Sequence, residues 1–138
     1  MKFDWSEYFK LTHELLKIDI DEAKQRSSIS RAYYAAFGRA RNYLRDYLGD
    51  SRLSRKILDI NVHQYVAEEF YRYDRKNKKM IEIGRDLGIL RSFRNKVDYE
   101  DVIFSLQKDV NMSLRLAKNN IDNIDNIDNI NELIEGQQ

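Results

Sequence analysis

The sequence predicts an all-α protein, and three observations lead to that prediction. First, the 138 residues include no proline and only five glycines, a composition that favours long, uninterrupted helices. Second, apolar side chains recur at helical spacing along most of the chain. Third, Asp4 with Glu7 and Asn61 with Gln64 have the spacing of capping boxes, the polar pairs that open helices.

Five helices are predicted, and their residue ranges are 4–18, 19–48 (or 21–48), 61–71, 80–97 and 101–117 (or 100–117), the last continuing to Ala117 or beyond. Gly49 is a typical stop for the second helix. The basic link at residues 50–60 is expected to be a loop with a short helical piece. Gly84 and Gly88 stand one turn apart inside the fourth helix, where each costs roughly 1 kcal/mol relative to alanine. They therefore predict a close approach by another helix.

A chain of this length is expected to be one domain. Residues 1–118 form the predicted helical domain, and residues 119–138 carry a low-complexity repeat of I-D-N. A three-residue period drifts by about 60° per repeat around an α-helix, so the isoleucines are not expected to hold one face. Asn and Asp are also poor helix formers in helix interiors. The tail is expected either to extend the fifth helix or to fray, without a chemical role.

The net charge of +1 is spread unevenly along the chain. Residues 1–50 have a balance of +1, residues 51–96 of +6 and residues 97–138 of −6. A basic middle segment could meet a phosphate backbone, or it could be a solvated face that complements the acidic tail. The segment R-Y-D-R-K-N-K-K at 72–79 is predicted to be an exposed loop, with RNA or phosphate contact as the alternative.

Several classes of function are disfavoured by what the sequence lacks. Without cysteine there is no disulfide framework and no thiolate chemistry, and two histidines alone do not make a structural zinc site. No Walker, dinucleotide-binding or zincin motif is present. No apolar run approaches the roughly 18 residues that span a bilayer, and the first residues lack a signal-peptide core. We therefore expect a soluble, cytoplasmic protein without metal or cofactor.

The least helix-like part of the sequence is a polar cluster between residues 90 and 101, at the junction of the fourth and fifth predicted helices. An arginine guanidinium is a planar fork suited to phosphate or carboxylate, and asparagine adds amide donors. One interpretation is therefore a site for a phosphate-bearing ligand. The other is structural, because Arg94 and Asp98 stand at i,i+4 and could pair to fix the helix corner. The cluster consists of Arg91, Arg94, Asn95, Asp98 and Tyr99.

Three segments follow one another in the chain: S-R-A-Y-Y-A-A-F at 30–37, V-H-Q-Y-V-A-E-E-F at 62–70 and R-N-K-V-D-Y at 94–99. Together they resemble the HEPN domain, in particular the small stand-alone HEPN proteins of the UPF0332-like type. The resemblance extends roughly from Trp5 to Ala117. It implies an antiparallel bundle of four to five helices that is often a homodimer.

The resemblance also implies a function. Many HEPN proteins are metal-independent ribonucleases of toxin–antitoxin or phage-defence modules, and many are encoded beside a minimal nucleotidyltransferase. In the nucleolytic members an R-x4–6-H motif supplies an arginine for the scissile phosphate and a histidine for acid–base catalysis. Carried onto this chain, Arg94 and Tyr99 become the catalytic candidates. The RNA- or nucleotide-binding candidates are Arg31, Arg91, Arg94, Asn95, Asp98 and Tyr99.

The chain departs from the nuclease motif at the histidine. Counted from Arg94, the histidine positions hold Tyr99, Glu100 and Asp101. With a reference pKa of about 10, tyrosine is a poor base at neutral pH. The expected function is therefore binding of RNA or nucleotide, with ribonuclease activity in question unless His63 supplies an imidazole from another helix. The alternative is a non-catalytic helical partner of a nucleotidyltransferase, in which Tyr99 could be the residue that the partner modifies.

Overall fold

The computed structural model describes residues 2–54 and 61–136, with side chains as far as Ile127. The described residues form helices and no strand, which confirms the all-α prediction. Residues 55–60 of the basic link lie outside the described part. The elements are α1 (Glu7–Leu15), α2 (Glu22–Asn42) with a π-helical turn (Tyr43–Tyr47), α3 (Ser51–Ser54), α4 (Val62–Tyr73), α5 (Lys78–Tyr99) and α6 (Leu106–Gly136).

Polar side chains set where α2, α4 and α5 begin. Asp21 accepts a hydrogen bond from the Lys24 backbone at 2.8 Å, Asn61 caps α4 and Asn77 caps α5. Each cap satisfies a backbone N–H that has no partner within its helix. The asparagine half of the predicted Asn61 capping box is therefore confirmed, although the Gln64 side chain turns to Glu68 instead.

The first helix is shorter than predicted at both ends. The Asp4 carboxylate accepts hydrogen bonds from the backbone N–H and the hydroxyl of Ser6, at 3.0 and 2.6 Å, and forms a local turn before α1. After α1, Asp19 adopts a φ of 48°, a left-handed conformation that a helix cannot include. The predicted range of 4–18 is thus reduced to Glu7–Leu15.

The central helix of the bundle is α2, which packs against α1, α5 and α6. Its buried alanines, Ala32, Ala35, Ala36 and Ala40, let these neighbours approach closely. Helix α4 packs mainly on α5. A continuous apolar core connects the helices, with Tyr33 and Phe70 among its largest fully buried side chains. Among the described helices, none is long and apolar enough to cross a membrane.

The last helix begins later than predicted because Arg26 holds the chain at the end of α5. Its guanidinium donates to the carbonyl oxygens of Val97, Glu100 and Asp101 at 2.9, 2.6 and 3.0 Å. These bonds satisfy carbonyls that would otherwise be unpaired at a helix C-terminus. The chain therefore turns at Glu100 instead of entering a helix, and α6 starts at Leu106.

Helix α6 continues through the I-D-N repeat, which is one of the two outcomes expected for the tail. Ile121, Ile124 and Ile127 are all buried. A drift of about 60° per repeat confines three successive isoleucines to a sector of about 120°. Because α6 lies against both α2 and α5, a sector of that width is covered.

The two glycines of α5 differ in their surroundings. A Cβ on Gly84 would lie 2.6 Å from the carbonyl oxygen of Ala67 and 2.9 Å from the backbone nitrogen of Tyr71. Gly84 therefore permits the close contact between α4 and α5, as predicted. A Cβ on Gly88 would meet nothing within 4 Å, so the same prediction is wrong for Gly88.

Alanine at these two positions should have opposite effects on the free energy of unfolding. Gly84→Ala should lose about 1–3 kcal/mol, because the new methyl group meets the rigid backbone of α4. Gly88→Ala should gain about 0.5–1 kcal/mol, because alanine restricts the unfolded chain and favours helix. Urea unfolding of the two variants measures both changes. Equal shifts in the same direction would contradict the packing described for α4 and α5.

Candidate functional site

Three helices bring a set of polar and aromatic side chains together on one side of α2. Tyr33 and Tyr34 come from α2, His63 from the first turn of α4, and Arg91 and Arg94 from α5. We call these five residues the arginine–histidine cluster. The Asn61 cap fixes the start of α4, and the buried alanines of α2 allow α5 to lie close beside it.

His63 is held by a hydrogen bond and by ring contacts. Its Nδ1 lies 2.6 Å from the hydroxyl oxygen of Tyr33, and the tautomer decides which of the two donates. Its ring centroid lies 4.5 Å from that of Phe37. No described residue hydrogen-bonds its Nε2. The imidazole is therefore fixed on one edge and has a nitrogen left for a ligand on the other.

Arg94 lies against the two tyrosines. Its guanidinium carbon is 5.3 Å from the ring centroid of Tyr33 and 5.6 Å from that of Tyr34, within the range of a cation–π contact. One terminal nitrogen donates to the Tyr34 hydroxyl at 3.4 Å, and Asp98 lies 3.8 Å away. The arginine side chain is only 11% exposed. The predicted pairing with Asp98 thus exists, but it is long.

The cluster also holds donors without partners. The Nε atoms of Arg91 and Arg94 are buried and make no hydrogen bond with any described residue. A buried donor that stays unpaired costs roughly 1–3 kcal/mol. An ordered water, an ion or a ligand can complete such hydrogen bonds.

The positive charges act on the groups around them. The pKa of His63 is lowered to about 4, first by burial and then by the charges of Arg94, Arg91 and Arg41. Burial raises the pKa of Tyr33, while Arg94 and Arg91 oppose that rise. At neutral pH the cluster therefore combines two guanidinium cations with an uncharged imidazole and a protonated phenol.

Other residues of the predicted site lie outside this cluster. The Arg31 guanidinium lies over the ring of Tyr8 on α1, 5.1 Å from its centroid. Asn95 is half-buried and makes no hydrogen bond with the described residues. Tyr99 is 78% exposed at the end of α5. The structure therefore groups Arg91 and Arg94 with His63 and leaves Tyr99 at the surface.

The surface around Tyr99 is acidic. A hollow of about 420 Å³ there is lined by Glu22, Asp98, Glu100 and Asp101, together with Ala23, Arg26 and Tyr99 itself. The cation, Arg26, already donates to three backbone carbonyls. Carboxylates repel phosphate, so this hollow is a poorer phosphate site than the arginine–histidine cluster.

The sequence alone points to neither Tyr33 nor Tyr34 as a site residue and gives His63 a minor role. The sequence did contain one signal, the place of His63 in the first turn of a capped helix. Its contact with Tyr33, thirty residues away in the chain, depends on tertiary packing and has no local pattern.

The cluster is not built as a metal site. Within the described ranges, no three His, Cys, Asp or Glu side chains are grouped so that they could hold a metal ion. In the cluster itself, two arginine charges surround the imidazole, and they would repel a metal cation.

The low pKa of His63 predicts how stability depends on pH. As pH falls from about 6.5 towards 4, the unfolded chain takes up a proton at this residue and the folded chain does not. The folded state should therefore lose about 1–2 kcal/mol over that range, allowing for partial screening by solvent. Above pH 6.5 the folded state keeps the stability that is lost at lower pH.

Urea unfolding between pH 7 and 4 measures the effect by comparing wild type with His63→Gln. The variant should show a shallower loss of stability, whereas His13→Gln, at an exposed position on α1, should follow the wild type. Identical pH profiles for wild type and His63→Gln would contradict the environment described for His63.

Comparison with known proteins gives one relative and no family. No family model matches the chain, and no solved structure matches it. The chain is similar to an uncharacterized protein of Methanocaldococcus jannaschii, MJ0628, with 32% identity over 90 residues. The match covers 61% of this chain and 54% of that protein. The chain thus spans about half the length of its relative.

Proposed function

We propose that this chain is a HEPN-like protein that binds a phosphate group of RNA or of a nucleotide at the arginine–histidine cluster. One observation carries the proposal: Arg94 is fixed over Tyr33 and Tyr34 beside an imidazole that hydrogen-bonds the same tyrosine. Arg91 acts on the same imidazole through its charge. Two positioned cations beside a neutral base form a site suited to a phosphodiester.

The charge balance of the cluster supports an anionic ligand. The carboxylate paired with Arg94 is Asp98, 3.8 Å away and 34% exposed. An anion between Arg91 and Arg94 would gain charge-assisted hydrogen bonds from two guanidinium forks. The tyrosine rings hold Arg94 in place before the ligand arrives, so less side-chain entropy is lost on binding.

The resemblance to HEPN proteins supports the same location. The segments at 30–37, 62–70 and 94–99 that carry the resemblance contribute Tyr33 and Tyr34, His63, and Arg94 to one cluster. They come from three helices that are far apart in the chain. A role in a toxin–antitoxin or phage-defence module, a cytoplasmic location and a homodimer form part of this proposal.

His63 gives the cluster the groups for metal-independent RNA cleavage. When Nδ1 carries the imidazole proton, Nε2 can take the proton of a ribose 2′-hydroxyl. The 2′-oxygen then bonds to phosphorus, the bond to the 5′-oxygen breaks, and that oxygen takes a proton from water. Arg91 and Arg94 would offset the negative charge that grows on the phosphoryl oxygens.

The proposal is tested by RNA binding and cleavage with variants of the cluster. Arg94→Ala should weaken RNA affinity about 10-fold or more, because the variant cannot form a charge-assisted hydrogen bond with the phosphate. His63→Gln should bind RNA nearly as well as wild type and lower any cleavage rate by a factor of about 10² to 10⁴. Fluorescence anisotropy measures affinity, and gel analysis of labelled RNA measures cleavage.

Arg85→Ala is the matched control, because Arg85 lies on the same helix and its side chain is 61% exposed. Circular dichroism should show that each variant is folded, and Arg91→Gln replaces Arg94→Ala if the latter does not fold. Equal RNA affinity for the cluster variant and for Arg85→Ala would show that the site is assigned wrongly.

A second candidate function is that of a non-catalytic partner of a minimal nucleotidyltransferase, and the exposure of Tyr99 favours it. At 78% exposure the phenol is accessible to a modifying enzyme. After co-expression with a nucleotidyltransferase encoded beside the chain, mass spectrometry should find a nucleotide adduct that disappears in Tyr99→Phe. Unmodified Tyr99 after such co-expression would argue against this role.

A further inference from the structure

The turn between α4 and α5 is strongly basic and fully at the surface. Residues 71–79 read Y-R-Y-D-R-K-N-K-K, and every cation among them is exposed. We call this segment the basic turn. Arg72 pairs with Glu69 at 2.9 Å. Its other cations make no ion pair with any described residue; they are Arg75, Lys76, Lys78 and Lys79.

Two exposed tyrosines stand at the start of the basic turn. Tyr71 is 55% and Tyr73 is 57% exposed, and they project from different sides of α4 because residues two apart on a helix differ by about 200°. A single exposed aromatic ring needs no explanation. Two exposed rings beside five cations are less common, because neither ring is part of the hydrophobic core.

Each tyrosine borders a hollow that also contains an arginine. Tyr73 lines a hollow of about 320 Å³ together with Tyr65, Arg52 and the carboxylates Asp50 and Glu69. The Arg52 guanidinium lies over the Tyr65 ring. Tyr71 lines a hollow of about 410 Å³ with Arg72 and Glu68. Because both hollows also contain carboxylates, they suit the flat face of a base better than a phosphate. The cations available for phosphate are those of the basic turn that have no ion pair with a described residue.

We infer that the basic turn is a contact surface for single-stranded RNA, separate from the arginine–histidine cluster. The rings of Tyr71 and Tyr73 would stack on unpaired bases, and the neighbouring lysines and arginines would contact the backbone phosphates. Both contacts tolerate any sequence, because every base has a flat face and every nucleotide has a phosphate. Bases in a duplex are already stacked on each other, so the tyrosines should contribute little to duplex binding.

The position of the basic turn suits one strand that also reaches the cluster. His63 lies in the first turn of α4 and Tyr73 is its last residue. Ten residues of helix separate them, or about 15 Å at 1.5 Å per residue. At about 3.4 Å per stacked nucleotide, roughly five nucleotides would cover that distance.

The test measures the affinity of the full chain for a fluorescent uridine oligonucleotide of about 12 nucleotides, by anisotropy at several salt concentrations. Replacing both tyrosines by leucine should weaken binding at least about fivefold, since stacking contributes roughly 1–3 kcal/mol per base. Replacing both by phenylalanine should leave affinity near the wild-type value, because the ring face is kept. Equal affinities for the leucine and phenylalanine variants would overturn the stacking role.

The contribution of the lysine charges to RNA affinity is tested by comparing two double variants. The double variant Lys76→Gln/Lys78→Gln should bind RNA with a weaker salt dependence. The slope of log affinity against log salt concentration should fall in magnitude by about 0.7 for each phosphate that the variant no longer neutralises. The double variant Lys10→Gln/Lys17→Gln removes the same charge from two exposed positions, one on α1 and one just after it, and should change the slope less. Equal slopes for the two double variants would overturn the phosphate contacts of the basic turn.

Measuring Arg94→Ala on the same oligonucleotide separates this inference from the proposed function. Loss of affinity in Arg94→Ala but not in the basic-turn variants would overturn the inference and leave the cluster as the RNA site. Loss in the basic-turn variants alone would support the inference and count against the cluster. Affinity for a double-stranded RNA should be the same for the leucine and phenylalanine variants, and a difference there would contradict recognition of unpaired bases.

Discussion

The position of Arg94 over Tyr33 and Tyr34 is the contact on which the candidate site depends. It joins α5 to α2, and the hydrogen bond between Tyr33 and His63 joins α2 to α4. The same cation helps to keep His63 uncharged, because a second positive charge nearby would be repelled. The arrangement that connects three helices therefore also creates a cationic site with a neutral imidazole. Removing the arginine would change both packing and electrostatics.

Much of the fold could be predicted from local pattern. The absence of proline and the apolar stripes predict the helices, and Asn61 marks the start of α4. The structure differs from the predicted fold where contacts between residues that are distant in the chain determine the geometry. Arg26 delays α6 at the end of α5, where its guanidinium binds three backbone carbonyls. The burial of Ile121, Ile124 and Ile127 depends on α6 having two neighbouring helices.

The candidate site could be predicted only in part for the same reason. Arg91 and Arg94 were found because polar residues interrupt an apolar helix. Counting along the chain from Arg94 predicts Tyr99 as its catalytic partner. In the structure Tyr99 is exposed among carboxylates. The imidazole near Arg94 comes from another helix, and spacing within one segment carries no information about it. The chain therefore has no R-x4–6-H motif, although His63 and Arg94 both contact Tyr33 in the fold.

The most direct test of the central claim is an NMR titration of the His63 imidazole with and without uridine monophosphate. The chain has two histidines, and the His63→Gln variant identifies which imidazole signal belongs to His63. His63 should have a pKa of about 4 in the free protein. That pKa should rise clearly when the nucleotide is bound, because its phosphate offsets the charges of Arg91 and Arg94. An ordinary pKa near 6.5 in the free protein, or a pKa unchanged by the nucleotide, would contradict the proposed site.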